Sequence, residues 1–314
     1  MITFGPVPSR RLGKSLGINN IVSHKTCSYG CIYCQLGKTI RRSILRETFY
    51  DPQDIFDKVQ EHLGKLSSDN YPDFLTFVSS GEPTLDKNLG KTIRLLKTTG
   101  IPVAVISNAS LVNDESVIDD LISADWVSLK VDAPETGTWT FINRPAEGLI
   151  FEDILAGIKR LRKMFSGVLC TETMLVSGIN DSDEKIIALA RIIKEINPAK
   201  AYLSVPVRPP AEKFVKIPAA EVLNACWQIF SRMEIESEFL TGFEGSNTGF
   251  TGNIYEDILN ITSVHPLRED SILNLLRKDG ASYSVVESLI RQRLIRSVNY
   301  EGNKYFLRNY HSKT

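Results

Sequence analysis

Three cysteines stand at the spacing CxxxCxxC in the run Cys27-Ser-Tyr-Gly-Cys31-Ile-Tyr-Cys34. Thiolates are soft ligands. Three on one tight loop can hold three irons of a four-iron, four-sulfur cluster and leave the fourth iron open to a small molecule. A closed zinc site is the rival, because His24 lies three residues before Cys27 and would complete a Cys₃His set. Disulfide pairing explains the grouping poorly, whereas metal explains it in a reducing compartment. Cys170 and Cys226 stand alone and are expected to pack as small apolar side chains.

Further polar chemistry gathers where strands are expected to end. Ser79-Ser80-Gly81-Glu82-Pro83-Thr84 pairs a glycine that admits close backbone approach with a carboxylate that can meet an ammonium. Ser107-Asn108 and Lys130-Val131-Asp132 offer groups for sugar hydroxyls and a cation for a carboxylate. Each has a plainer use as a turn, a helix cap or a surface charge. Arg10, Arg11, Lys14, Asn143, Arg144 and Arg208 are the candidate substrate contacts, since guanidinium groups grip phosphate or carboxylate in a forked geometry. A solvated rim would use the same residues.

Groups so far apart in the chain can meet only on a scaffold. Short apolar or β-branched runs at 16–22, 73–79, 102–107, 126–131, 168–176 and 201–206 alternate with helical-period runs near 52–67, 86–99, 114–123, 151–165, 182–195 and 218–232. Six βα units in series predict an α/β fold with a parallel sheet, open or curled into a partial barrel, and ligands at the C-terminal strand ends. Asp114 and Asn180-Asp181-Ser182 carry oxygens suited to cap helix starts. Segments 134–145 (with Trp139, Asn143 and Arg144), 208–216 and the Gly-rich 242–253 are expected as lids.

Beyond residue 253 the pattern changes. Two short helical segments, about 268–278 and 283–293, precede β-type runs at 294–300 and 304–307 joined by Glu301-Gly302-Asn303. This predicts a small winged-helix-like domain at 254–314 after a larger one at 1–253. Arg291, Arg293 and Arg296 fall close together there, as on a helix that reads nucleic acid, although packing or dimerisation is an equal use.

The composition is that of a globular protein: 314 residues with 42% apolar side chains exclude a disordered, collagenous or disulfide-dense chain. Its 37 basic and 37 acidic residues cancel but are unevenly placed. Residues 1–46 hold eight bases and no acid, and residues 265–314 hold nine bases against five acids, so the middle is acidic. Basic ends suit an anionic substrate or cofactor. Nothing approaches the ~18 consecutive apolar residues of a membrane span, and the first residues lack the apolar run of a signal peptide. A cytoplasmic location with no membrane contact is therefore expected.

With Tyr33 before its last cysteine, CxxxCxxC resembles the signature of the radical SAM superfamily, and the resemblance spans about residues 4–253. It implies a partial (βα)6 TIM-like barrel in which Cys27, Cys31 and Cys34 hold a 4Fe-4S cluster. S-adenosylmethionine would be held by Tyr33, Ser80, Gly81, Glu82, Pro83, Thr84, Ser107, Asn108, Lys130 and Asp132, with Val205 covering the adenine. Val176 to Asp181 also matches a family position. The implied chemistry is transfer of one electron from the reduced cluster to the sulfonium, giving methionine and a 5′-deoxyadenosyl radical that takes hydrogen from a substrate.

More narrowly, FGPVPSRRLG and the run Cys31-Ile-Tyr-Cys34-Gln-Leu-Gly resemble a branch related to wyosine-type tRNA modification enzymes. No cysteine precedes Cys27, so the second cluster and pyruvate condensation of the archaeal enzymes are not carried over. Nor is the flavin domain of the eukaryotic relatives present, so an external one-electron donor such as flavodoxin or ferredoxin is implied. Three uses remain open: modification of an RNA base, tRNA first, gripped through residues 265–314; radical modification of a protein or peptide, including glycyl-radical activation; and an iron-sulfur redox sensor that binds DNA.

Overall fold

The computed structural model describes residues 2–22, 25–242, 245 and 251–309. In chain order the larger part comprises β1 (Thr3–Ser9), β2 (Gly13–Ile18), β3 (Thr26–Cys27), β4 (Arg41–Arg42), α1 (Pro52–Leu63), β5 (Phe74–Phe77), α2 (Leu89–Lys97), β6 (Val103–Ser107), α3 (Glu115–Leu121), β7 (Trp126–Lys130), α4 (Thr136–Asn143), α5 (Phe151–Met164), β8 (Val168–Met174), α6 (Asp183–Ile196), β9 (Lys200–Ser204), α7 (Ala220–Arg232) and β10 (Ser237–Leu240).

Eight strands make one sheet in the order β1-β2-β5-β6-β7-β8-β9-β10. From β2 to β10 every pairing is parallel, and β1 joins antiparallel at the edge. The sheet curls into a partial TIM-like barrel. All six expected strands are present, and two edge strands are added. β1 carries Pro6 and Pro8, which remove ladder donors and argue against a central strand; the edge is where such a strand is tolerated. β10 is only four residues, SEFL, with little apolar run to mark it.

Strand side chains alternate between two layers. Leu75, Phe77, Val103, Val105, Val127 and Leu129 are fully buried against the outer helices, each worth about 1.5–3 kcal/mol relative to exposure. The alternate positions face the barrel interior. Its lower end is plugged by Leu12 from the β1–β2 turn, packed with Ala104, Trp126, Cys170 and Tyr202. Helix starts follow the sequence signals: Asp114 accepts from the Ser116 amide at 2.8 Å, and Ser182 accepts from that of Lys185.

A second core is built by α8 (Ile254–Thr262), β11 (Leu267–Arg268), α9 (Glu269–Lys278), α10 (Ser284–Arg291), β12 (Ile295–Tyr300) and β13 (Asn303–Arg308). The three strands form an antiparallel sheet in the order β11-β13-β12. Ile258, Ile272, Val286, Leu289 and Phe306 are buried there together with Phe4 of β1. Phe4 reaches that core across Gly17, where an added Cβ would lie 1.9 Å from its ring. The connection is reinforced by the Tyr300 and Tyr305 hydroxyls, which donate to the carbonyls of Pro206 and Val207 at 2.6 and 3.0 Å.

No helix among the described residues is long and apolar enough to cross a membrane. The expected lid at 134–145 is mostly α4, with Trp139, Ile142 and Asn143 buried. Gly137 and three threonines gave it a loop-like composition, but burial of Trp139 between Tyr29 and Phe151 fixes it as a helix. Of the expected 242–253 lid, residues 243, 244 and 246–250 lie outside the described residues.

Candidate cluster and cofactor site

The cysteine loop is locked by its own backbone. The Gly30 amide donates to the carbonyl of Asn143 at 2.8 Å, and that of Ile32 to Ile142 at 2.9 Å, so the end of α4 forms its backing. The Tyr29 hydroxyl accepts from the Trp139 indole at 2.9 Å. Side-chain amides point at the sulfurs: Asn108 Nδ2 lies 3.4 Å from Cys27 Sγ and Asn143 Nδ2 3.4 Å from Cys31 Sγ. Such donors favour the thiolate over the thiol and tune a bound cluster.

Burial pushes the Cys27 thiol well above its ordinary value, with Cys31 and Glu82 adding to the effect, and pushes that of Cys31 up to about 11, with Cys34 and Asp132 adding. Two thiols, Cys27 and Cys31, that burial and neighbouring negative groups hold back from ionising, yet which face aligned donors, suit a cationic iron centre that reverses the balance. Among the described residues, no group of three His, Cys, Asp or Glu side chains converges on a single-ion position. His24, the fourth ligand of the rival zinc site, lies outside the described residues.

The Ser79–Thr84 turn is clamped to this loop. Gly81 pairs with Thr26 as a parallel bridge, and an added Cβ would sit 1.6 Å from the Thr26 carbonyl oxygen at φ +156°. Only glycine fits. Glu82, buried, accepts from Thr84 Oγ1 at 2.7 Å, Ser107 Oγ at 2.6 Å, and the amides of Thr84 at 3.1 Å and Asn108 at 2.7 Å. Burial pushes its carboxyl above the ordinary value, and these donors, which favour the ionised form, oppose that. The carboxylate thus ties the turn to the end of β6.

Asn19 and Asn20, which the sequence placed inside a strand at 16–22, instead leave the sheet after Ile18. Asn19 Nδ2 donates to Ser80 Oγ at 2.8 Å, and Asn20 Nδ2 to the Pro83 carbonyl at 3.1 Å. Arg46 holds the same turn from outside, donating to the carbonyls of Thr84 at 2.9 Å and Asp86 at 2.8 Å. Two adjacent asparagines at a strand end were the available signal.

Asp132 is likewise spent on neighbours. Its Oδ2 accepts from Asn143 at 2.8 Å and from the Tyr33 hydroxyl, and its Oδ1 from the Met174 amide at 2.8 Å. Asn143 therefore supports the cysteine loop rather than lying at the barrel rim. Val205 is buried at the end of β9.

A charged group occupies the interior. Glu172 on β8 accepts from Lys130 Nζ at 2.8 Å, from Arg11 of the β1–β2 turn, and from Ser204 Oγ at 3.3 Å. Lys130 also lies 5.2 Å from the Tyr33 ring centroid, next to the cysteines. Burial pulls its ammonium below the ordinary value while Asp132 opposes. Beside them the buried Ser128 hydroxyl finds no hydrogen-bond partner among the described residues. Glu172, Ser128 and Ser204 were not singled out in the sequence, since nothing local distinguishes a strand glutamate or serine.

The expected basic residues divide. Arg11 reaches the interior, and Arg10 is half-buried in the same turn. Lys14 is exposed at the opposite end of the sheet, with Nζ 2.5 Å from the Asp69 carbonyl, away from the strand ends that hold the site. Arg144 pairs with Glu212 at 2.6 Å on the outer side of the cysteine loop. Arg208 donates to Gln35 Oε1 at 3.0 Å and to His265 Nε2 at 3.1 Å, joining the cysteine loop to the second core. A cavity of about 90 Å³ inside the barrel is lined by Arg11, Gln35, Thr76, Ile106, Arg208 and His265. A second, of about 220 Å³ between the two cores, shares Arg208 and His265 and adds Arg268 and Tyr305.

Comparison with known proteins agrees with this geometry. The family model described as the radical SAM superfamily matches residues 21–190. A UPF0026 protein of Methanocaldococcus jannaschii is 45% identical across 99% of this chain and 97% of its own. Among solved structures, a radical SAM methyltransferase from Sphaerobacter thermophilus aligns with TM-score 0.53 at 16% identity, covering 72% of this chain and 66% of that one. TYW1 with a lysine-pyruvate adduct bound aligns with TM-score 0.50 at 14% identity, covering 96% and 82%. At such identities the two structures support the fold alone.

Proposed function

Since this chain belongs to the radical SAM superfamily and is an enzyme using a 4Fe-4S cluster and S-adenosylmethionine, we propose that its substrate is an RNA, with tRNA first, modified at a base. Cys27, Cys31 and Cys34 would hold the cluster, which when bound supplies the electron that cleaves the cofactor. Tyr33, Ser80 to Thr84, Ser107, Asn108, Lys130, Asp132 and Val205 form the surrounding cradle. In it the Asn108 and Asn143 amides steady the sulfurs, and Glu82 holds the turn from which backbone groups meet the methionine part.

One observation carries the substrate reading. The cavity of about 220 Å³ between the cores is lined by Arg208, Arg268 and His265 and lies next to the barrel interior through shared walls. An anionic backbone gripped there would lie beside a base directed inward toward Arg11 and Lys130. Residues 254–309 support this: their helix–strand–helix–helix–hairpin order is compatible with the winged-helix-like unit proposed for this end of the chain, and Arg291, Arg293 and Arg296 are exposed at the α10–β12 corner. A cytoplasmic location and a tRNA partner belong to the same proposal.

Binding of tRNA by the intact protein, followed over a salt series, tests it. Replacing Arg291, Arg293 and Arg296 by alanine should weaken binding across all tRNA sequences and reduce the salt slope by about one per lost phosphate contact. Equal affinity and equal slope in the variant would overturn the role of that corner; no salt-sensitive tRNA binding by the wild type would overturn the substrate.

A further inference from the structure

The cysteine loop has an outer side as well as an inner one. On it, Gly30 lies against Arg144 and Arg42, whose Cβ and Cδ would stand 3.6 and 3.7 Å from a Cβ at that position. Arg42 Nη1 donates to the Arg144 carbonyl at 3.3 Å, and Arg144 pairs with Glu212. The Glu212 amide in turn donates to Ile32 at 2.9 Å. Lys38, exposed, is near enough to help hold the Glu212 carboxyl below its ordinary value. Two arginines thus lie against Gly30, and Glu212, paired with Arg144 and with Lys38 near its carboxyl, backs Ile32, so that both neighbours of Cys31 carry a net positive surround. Beside them are Phe141 and Phe214, half-exposed at 52% and 49% with ring centroids 6.2 Å apart, which adds a small apolar contact to the charged surface.

We propose that this outer side is the docking surface for an acidic one-electron carrier protein. The proposal rests on the cluster assignment and is independent of the substrate. A centre bound by the three cysteines must gain one electron from outside, because the remaining cysteines, Cys170 and Cys226, are buried and apart. The carrier loses one electron, the centre gains it, and no atom is transferred. Charge complementarity sets the partner: the net positive ring around Gly30 attracts an acidic surface, while the Phe141–Phe214 pair gives the small apolar contact of a transient complex.

The test compares wild type with Lys38→Glu and with Lys38→Glu/Arg42→Glu, residues outside the cofactor cradle. The first is an exposed charge whose reversal should leave folding intact. Cluster-loaded protein is reduced either by the hydroquinone of an acidic flavodoxin or by dithionite, and oxidised flavodoxin is titrated into the metal-free protein as a separate readout. The expected result at low salt is a roughly tenfold or greater fall in the flavodoxin-driven rate for the double variant, with a smaller fall for the single one. Affinity for the metal-free protein should fall in parallel, and the dithionite rate should stay unchanged. Unaltered flavodoxin affinity and rate would overturn the proposal, as would an equal fall with both reductants. So would a variant that loses tRNA binding while keeping flavodoxin affinity. If the wild type loads no cluster, the family chemistry fails on that observation alone, and the titration of metal-free protein still decides the docking surface.

Discussion

Around the cysteine loop, polar side chains hold one another; inside the barrel, they hold charge ready. Glu82, Asp132, Asn19 and Asn20 have their acceptors or donors filled by neighbouring turns, and Gly81 permits a backbone contact that leaves no room for a side chain. By contrast, the interior places two cations on one carboxylate, Arg11 and Lys130 on Glu172, and leaves the Ser128 hydroxyl without a partner among the described residues. The first region is fixed before any ligand arrives, as a reactive cofactor requires. The second keeps unbalanced charge beside a cavity, as recognition of an anionic substrate requires.

Breaking the fixed region should cost most. Gly81→Ala drives a Cβ into the Thr26 carbonyl, and the displaced turn should lower stability by about 3 kcal/mol and abolish S-adenosylmethionine binding, measured by denaturant melts and calorimetry. Retained cofactor affinity would show that the clamp is not what shapes the cradle. Within the interior, Glu172→Gln leaves two partly buried cations without their carboxylate. Breaking a buried ion pair of this kind costs about 3 kcal/mol at the low end. Here the cost should be reduced in the Glu172→Gln/Lys130→Met double variant, a coupling that a double-mutant cycle reads directly. Additive losses would mean that the interior charges do not act as a group.

A third comparison uses thiols that share burial but not function. Burial pushes Cys226 up to about 12 from an ordinary value near 9. The folded protein therefore holds that proton more tightly than the unfolded chain does. Its contribution is intact below pH 9 and is lost as pH rises toward 12, at about 1.4 kcal/mol per pH unit. Between pH 9 and 11, stability of the metal-free protein should fall less steeply in Cys226→Ala than in wild type. Parallel slopes would show that Cys226 does not govern the decline. Smallest in effect on stability, though not on binding, is the replacement of the three exposed arginines at the α10–β12 corner. Surface changes of this kind stay within about 0.5 kcal/mol, so melts of that variant should match wild type while its tRNA salt slope falls.

The same contrast explains what could be read from the chain. The cysteine loop, the Ser79–Thr84 turn and the ends of β6 and β7 are contiguous motifs, so their chemistry shows in local spacing. Six strands showed because parallel strands buried on both sides need apolar runs. Glu172, Ser128 and Ser204 were silent because an inward-facing polar residue on a strand has no local mark; only curvature of the sheet brings it to Arg11. Lys14 misled for the converse reason, since it shares a basic run with Arg11 but the β1–β2 turn sends the two to opposite sides. Asp132 and Asn143 were recognised as polar groups near the site, but their work of supporting Tyr33 and Cys31 depends on the packing of α4, whose composition reads as a loop.

The central claim is that Cys27, Cys31 and Cys34 hold the centre that cleaves S-adenosylmethionine. Anaerobic reconstitution with iron and sulfide, addition of S-adenosylmethionine and dithionite, and quantification of 5′-deoxyadenosine for wild type and Cys31→Ala test it directly. Wild type should give 5′-deoxyadenosine and the variant none. A wild type that binds zinc at these cysteines and forms no 5′-deoxyadenosine with the site fully loaded would contradict it.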